Sequence, residues 1–101
     1  MGTEPVRDWL KNLPTQSRKL IGQDIQTVQR GWPMGMPLVK SLGDGLWEIR
    51  SYLPEGTARV IFFVQNEKLV VLHGFIKKSQ KLPISDLELA KKRKKLFLSD
   101  T

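Results

Sequence analysis

The chain has 101 residues, 17 of them Lys or Arg and 10 Asp or Glu, which gives a formal net charge of +7 at neutral pH. This length fits one domain with its own hydrophobic core, and the positive charge attracts polyanions such as nucleic acids and acidic protein surfaces. With no cysteine and one histidine, disulfides, thiolate nucleophiles and ordinary transition-metal sites are excluded, and we expect neither metal nor cofactor.

The apolar segments are short. The longest runs, VIFFV and LVVL, fall far below the ~20 residues that a membrane-spanning helix needs. The polar start MGTEPVRD lacks the apolar core of a signal peptide. We therefore expect a soluble, cytoplasmic protein.

A helical hairpin is predicted for residues 3–30. Thr3 is a suitable N-cap for a short first helix that ends at Pro14, and a second helix runs from about Thr15 to Arg30 before Gly31. Apolar residues recur at helical spacing in both helices. These residues are Val6, Leu10, Leu13, Ile21, Ile25 and Val28.

An antiparallel sheet is predicted within residues 31–76. A Gly- and Pro-rich loop with a short edge strand at Leu38–Ser41 precedes three strand-like runs, LWEIRSYL, ARVIFFVQ and KLVVLHGFI. The connections are the turn PEGT and a tight turn at Asn66 and Glu67. The second and third runs are apolar on both faces, so we expect helices on both sides of the sheet.

A basic loop and a last helix are predicted for residues 77–101. Ser85 and Glu88 fit a capping box, and the helix then runs to about Phe97. The whole chain, residues 1–101, is thus expected to be one α+β domain. It has an N-terminal helical hairpin, a three- to four-stranded antiparallel sheet and a C-terminal helix.

The run LWEIRSYL supplies the first candidate site. Side chains alternate along a strand, so Glu48, Arg50 and Tyr52 share one face. If PEGT is the whole turn, Tyr52 lies opposite Arg59, and the two arginines are diagonal neighbours. Two guanidiniums this close need a compensating anion, either a carboxylate or a bound phosphate. The alternative is a surface ion pair of Glu48 and Arg50, worth ~0–1 kcal/mol.

Further candidates follow in the chain. Lys77, Lys78 and Lys81 leave the end of the third run, where they can bind phosphate and stabilise the charge that develops when a 2′-hydroxyl attacks it. His73 is either catalytic or a core histidine, and the tight turn pairs it with Val60, on the face opposite the arginines. The segment AKKRKKLF is either a nucleic-acid arm or the solvated side of a helix.

Three segments, EPVRDWL, GLWEIR and HGFIKK, occur in the order and at the spacing of a known family. They resemble the phage-derived, HigB-like branch of the RelE/HigB toxins, over nearly the whole chain. The resemblance implies a RelE-like fold and a bacterial type II toxin, an mRNA interferase that cleaves messenger RNA on the ribosome without a metal. It also implies a partner antitoxin, often a helix-turn-helix protein.

The resemblance also implies residue roles. It places Arg50, Arg59, Lys77 and Lys78 around the scissile phosphate, and leaves the general base open among Glu48, His73 and a lysine. Further lysines are expected to contact RNA, namely Lys40, Lys81, Lys91, Lys92 and Lys95.

The chain departs from these relatives at both ends. Many of them carry a tyrosine or histidine near the C-terminus that helps orient the RNA, whereas after Lys81 this chain has only LPISDLELAKKRKKLFLSDT. They also begin with a β-strand, which we expect to be missing here, and the sheet edge so exposed favours a homodimer. The alternatives are a ParE-like gyrase inhibitor, a basic binder without enzymatic activity, and a degraded toxin that retains only antitoxin binding.

Overall fold

The computed structural model describes residues 4–33, 38–77 and 84–99. The predicted α+β fold is confirmed, with a helical hairpin, four antiparallel strands in the order β1-β2-β3-β4, and a final helix. Lys78, Lys81 and Thr3 lie outside the described residues. The elements are α1 (Glu4–Lys11), α2 (Thr15–Gly31), β1 (Val39–Gly43), β2 (Leu46–Leu53), β3 (Gly56–Gln65), β4 (Lys68–Lys77) and α3 (Ile84–Ser99).

The helical hairpin packs its apolar face onto the sheet, as the spacing predicts. Val6 of α1 and Ile21, Ile25 and Val28 of α2 are at most 3% exposed and join sheet residues in one core cluster. Burial of a large aliphatic side chain stabilises a fold by about 1.5–3 kcal/mol. This stripe therefore holds the hairpin on one face of the sheet.

The turn between β2 and β3 is shorter than predicted. Gly56 already pairs with Leu53, so the loop has two residues instead of the four of PEGT. Gly56 has a φ of 145°, and a Cβ there would lie 3.1 Å from a backbone oxygen of β4, so this early return of the chain requires glycine. The register moves by two residues, and Arg50 lies directly opposite Arg59 rather than diagonal to it.

The turn between β3 and β4 occurs where predicted, but a bulge follows it. Both residues of the 66–67 turn have positive φ, 53° and 66°, as in a two-residue hairpin. Leu72 is then an extra residue in β4, because Ile61 pairs with His73. The prediction that His73 pairs with Val60 is therefore wrong, and the bulge moves the histidine to the face of the arginines.

Helices cover both faces of the sheet, as predicted. The hairpin covers the face that carries Val60 and Phe62, and α3 covers part of the other face, where its Ala90 is fully buried.

The helix α3 begins at Ile84, so Ser85 lies within its first turn, and the predicted capping box misplaces the start. No helix in the described ranges is both long and apolar enough to span a membrane.

Candidate functional site

The sheet face toward α3 divides into two halves. In the covered half, apolar side chains pack beneath the helix, namely Leu46, Ile61, Phe63, Val70 and Leu72. In the open half, polar side chains and the aromatic residues Tyr52 and Phe75 form cross-strand rows, with strands ~4.8 Å apart. The rows are Lys40 with Glu48, then Arg50 with Arg59 and Phe75, then Tyr52 with Thr57 and Lys77. The strand register thus brings together the described arginines and two lysines of the predicted site.

Glu48 lies between the two arginines of the open half. Its Oε1 accepts hydrogen bonds from Arg50 Nε at 3.0 Å and from Arg59 Nη1 at 2.9 Å. The exposed side-chain fractions are 1% for Glu48, 4% for Arg59 and 14% for Arg50. The sequence left open a surface ion pair, but this carboxylate is buried and shared by both guanidiniums.

These three side chains carry two positive charges and one negative charge. Arg50 is the more exposed of the two arginines, and among the described residues none forms a hydrogen bond with its terminal nitrogens. A guanidinium held through Nε keeps those terminal N–H groups in a defined direction. The geometry is therefore suited to bind an anion at Arg50, with Arg59 and Glu48 supporting it from below.

His73 lies at the border between the two halves and contacts α3. Its Nε2 is 2.5 Å from Asp86 Oδ1, and Arg93 Nη1 is 3.2 Å from its Nδ1. Arg93 also donates to the backbone oxygen of Leu72, the bulge residue, at 2.9 Å. With a carboxylate at Nε2 and a guanidinium donor at Nδ1, the neutral ring carries its proton on Nε2. Both ring nitrogens are therefore engaged in holding α3 on the sheet.

The remaining predicted lysines occupy different places. Lys77 ends β4 and is half-buried, and Lys40 is exposed on β1 opposite Glu48. Lys91, Lys92 and Lys95 are exposed on α3, and Lys91 Nζ lies 3.6 Å from Asp44 Oδ2. The α3 lysines thus form a separate basic surface on the solvent side of the helix.

Two pairs of side chains that the sequence analysis did not single out fix α2 against the end of β2. Ser51 Oγ donates to Asp24 Oδ2 at 2.6 Å, and Ser17 Oγ donates to Glu55 Oε1 at 2.8 Å. Ser51 alternates with Arg50 along the strand, so the bond to Asp24 also sets the orientation of the open half. Strand alternation places Ser51 on the face opposite Arg50, but its partner Asp24 lies far away in the sequence.

Several concave surfaces lie near these elements, and two of them are relevant to binding. A cavity of about 280 Å³ at the edge of β2 is lined by Arg50, Tyr52, Leu38, Leu20 and Asp24. A groove of about 330 Å³ lies on the hairpin side. Its walls include apolar residues Val6, Leu10, Ile25 and Val71 and basic residues Arg7, Lys11 and Arg18. In the described parts of the chain, no three His, Cys, Asp or Glu side chains are grouped so as to hold a metal ion.

A family model matches residues 8–95, and its description is phage-derived protein Gp49-like (DUF891). The chain belongs to this family. It is a toxin-like family of the RelE/HigB type, in agreement with the resemblance seen in the sequence. A search of curated proteins finds no match. The match to the Gp49-like family includes both arginines, the bulged strand β4 and most of α3.

Proposed function

We propose that this Gp49-like protein is the toxin of a type II toxin–antitoxin system and that it cleaves messenger RNA on the ribosome. The observation that carries the proposal is the arginine pair on one buried carboxylate, with Arg50 directed toward the open half. Membership of a toxin-like family supports the toxin part of this proposal. The net charge of +7 supports a polyanionic target in the cytoplasm.

The reaction that this geometry favours is attack of a ribose 2′-hydroxyl oxygen on the adjacent phosphorus, which forms a 2′,3′-cyclic phosphate and breaks the bond from phosphorus to the 5′-oxygen of the next nucleotide. The hydroxyl proton passes to water, and water protonates the leaving 5′-oxygen. Negative charge then grows on the non-bridging phosphate oxygens, and preorganised guanidinium donors stabilise it. Arg50 would donate to those oxygens, Arg59 would add positive charge beneath, and Lys77 would bind a neighbouring phosphate. The step needs no metal, because the positive charge comes from side chains.

Neither Glu48 nor His73 presents a proton acceptor to an RNA strand lying on the open half. Glu48 Oε2 has no hydrogen-bond partner in the described ranges, but it is buried. His73 has both ring nitrogens engaged by α3. The proposal therefore rests on stabilisation of the phosphate charge, with Glu48 as the residue that positions the arginines.

We further propose that a partner antitoxin, of the helix-turn-helix class, occupies the groove between α1 and α2. Apolar side chains are flanked there by three basic ones, which fits an amphipathic segment with an acidic border. This groove lies against the opposite face of the sheet from the open half. An antitoxin bound there would not cover the open half and would act by blocking entry to the ribosome.

A homodimer through a sheet edge is the remaining partner proposal. In the described sheet β1 and β4 are the outer strands. Gln29 Oε1 accepts from the Leu69 N–H at 2.9 Å and so caps the start of the β4 edge. The rest of β4 is the part of the sheet that a second chain would extend.

Primer extension on messenger RNA after brief induction tests the ribonuclease proposal. The wild-type chain is expected to produce breaks in translated regions, and Arg50→Ala is expected to reduce them about 10²- to 10³-fold through loss of a preorganised donor. Arg30→Ala is the matched control, because Arg30 is exposed at the end of α2 on the other side of the molecule. It should cleave like wild type.

Other outcomes would redirect the proposal. Growth arrest with intact messages would contradict a ribonuclease and favour a gyrase inhibitor or a basic binder. No arrest, together with capture of the antitoxin, would favour a degraded toxin. Circular dichroism of the Arg50→Ala protein separates loss of chemistry from loss of fold.

A further inference from the structure

Tyr52 is the most exposed aromatic residue described. It is 66% exposed and lies at the β2 end of the row that continues through Thr57 to Lys77. Folding normally buries much of a tyrosine ring, because the ring contributes a large apolar area. An aromatic ring left in solvent beside an arginine is typical of surfaces that stack the bases of single-stranded nucleic acids.

The surroundings of Tyr52 supply the other groups that a nucleotide needs. Arg50 precedes it by two residues on the same face, and Thr57 and Lys77 complete its cross-strand row. Lys77 is two strands away, or about 10 Å. A phosphate at Arg50 and another toward Lys77 would therefore flank a base lying against the tyrosine ring.

A cavity beside the ring gives the base a place to enter. Tyr52 and Arg50 line the 280 Å³ cavity at the edge of β2, and Asp24 of α2 lines it too. Asp24 Oδ2 accepts from Ser51, whereas no described residue donates to its Oδ1. A carboxylate oxygen accepts hydrogen bonds from the exocyclic amino groups of bases, as Asp and Glu do with cytosine N4.

We propose that this cavity is a nucleobase pocket, in which Tyr52 stacks on the base and Asp24 accepts a hydrogen bond from its amino group. The ligand class is a single-stranded ribonucleotide segment with an amino-bearing base at this position. Arg50 holds the phosphate next to that base. The inference rests on the proposed ribonuclease function, because it takes RNA as the ligand. It adds that Tyr52 and Asp24 select the base.

Binding of 2′-O-methyl oligonucleotides to the full 101-residue chain tests the pocket. These strands keep RNA-like sugars but lack the attacking hydroxyl, so binding is measured apart from cleavage. The probes are fluorescently labelled decamers of cytidine, of uridine, and of an abasic backbone. Wild type is expected to bind the cytidine strand several-fold more tightly than the uridine strand, and the abasic strand most weakly.

Variants of Tyr52 separate stacking from charge. Tyr52→Leu is expected to weaken binding of the cytidine strand about tenfold and to leave the abasic strand unchanged, whereas Tyr52→Phe should bind like wild type. Arg50→Ala is the contrasting variant, because loss of a phosphate contact should weaken all three strands alike and reduce the salt dependence. Tyr52 is exposed, so its substitutions should not unfold the protein.

Three results would overturn the inference. The first is that Tyr52→Leu binds the cytidine strand with the affinity of the wild type. The second is that Tyr52→Leu loses as much affinity for the abasic strand as for the cytidine strand. The third, which concerns the role of Asp24, is that the wild type binds the uridine and cytidine strands with equal affinity. Failure of the ribonuclease proposal is distinguishable, because base-dependent binding without message cleavage would leave the pocket standing. If the wild type cleaves messenger RNA and Tyr52→Leu binds the cytidine strand as tightly as the wild type, the nucleobase pocket is contradicted and the ribonuclease proposal is not.

Discussion

The two halves of one sheet face differ although the same three strands, β2, β3 and β4, run through both. In the covered half, Leu46, Ile61 and Leu72 are at most 1% exposed beneath α3. In the open half, the same face carries Arg50, two residues after Glu48 in β2, and Arg59, two residues before Ile61 in β3. The β-sheet is continuous, so the two halves differ in their side chains and in whether α3 packs over them.

This contrast indicates how the protein combines a stable fold with a charged surface. The apolar half removes side chains from water, which stabilises the fold. The charged half is tied together by one carboxylate shared between two guanidiniums, which neutralises part of the repulsion between them. The transition from one half to the other occurs at Glu48, which contacts Arg59 of the open half, and at His73, which contacts Arg93 of α3.

Substitution of the shared carboxylate should have the largest effect. Glu48→Ala leaves the largely buried Arg50 and Arg59 without their common counter-charge, and we expect the free energy of unfolding to fall by about 4 kcal/mol. Urea denaturation measures this loss. Lys40→Ala is the matched control, because Lys40 lies opposite Glu48 but is exposed. If Glu48→Ala and Lys40→Ala lower the free energy of unfolding equally, the open half is not organised around a buried ion pair.

The covered half should respond through its packing. Leu72→Ala removes a fully buried side chain at the bulge, and we expect it to lower the free energy of unfolding by about 3 kcal/mol. Leu96→Ala on α3, which is 56% exposed, should change stability by less than about 0.5 kcal/mol. A small effect of Leu72→Ala in the same urea titration would mean that α3 does not hold this half closed.

The smallest effect is expected at the border between the halves. Asp86→Ala removes the carboxylate that contacts His73, and a partly exposed hydrogen bond of this kind is worth about 1 kcal/mol. Glu88→Ala is the control, because it removes a nearby exposed carboxylate from the same helix. Thermal unfolding followed by circular dichroism compares the two variants. Equal melting temperatures would show that the contact contributes nothing to the docking of α3.

Much of this comparison was predictable from local patterns. The alternation in LWEIRSYL placed Glu48 and Arg50 on one face, and the apolar runs of β3 and β4 predicted helices on both sides of the sheet. The two-residue turn at 66–67 was also predictable, because Asn66 is a residue type that tolerates positive φ. These features depend on periodicity and turn chemistry within a few neighbouring residues.

The predictions that failed concern register and partners. The sequence does not show how many residues of PEGT belong to the strands, because Gly56 can lie either in the turn or in β3, where it pairs with Leu53. It also does not reveal the bulge at Leu72, where Arg93 donates to the backbone oxygen from a distant helix. One extra residue moves every later side chain of a strand to the other face. The missed bulge therefore led to the wrong face being predicted for His73.

The sequence by itself determined the α+β order of elements, the apolar faces of the helices, and the excess of positive charge that favours a polyanionic target. Only the tertiary structure decided that Arg50 and Arg59 share one buried carboxylate and that both nitrogens of His73 hold α3. The physical reason is that periodicity arises from each segment alone. Strand register and ion-pair partners are instead selected by the free energy of packing segments distant in the chain.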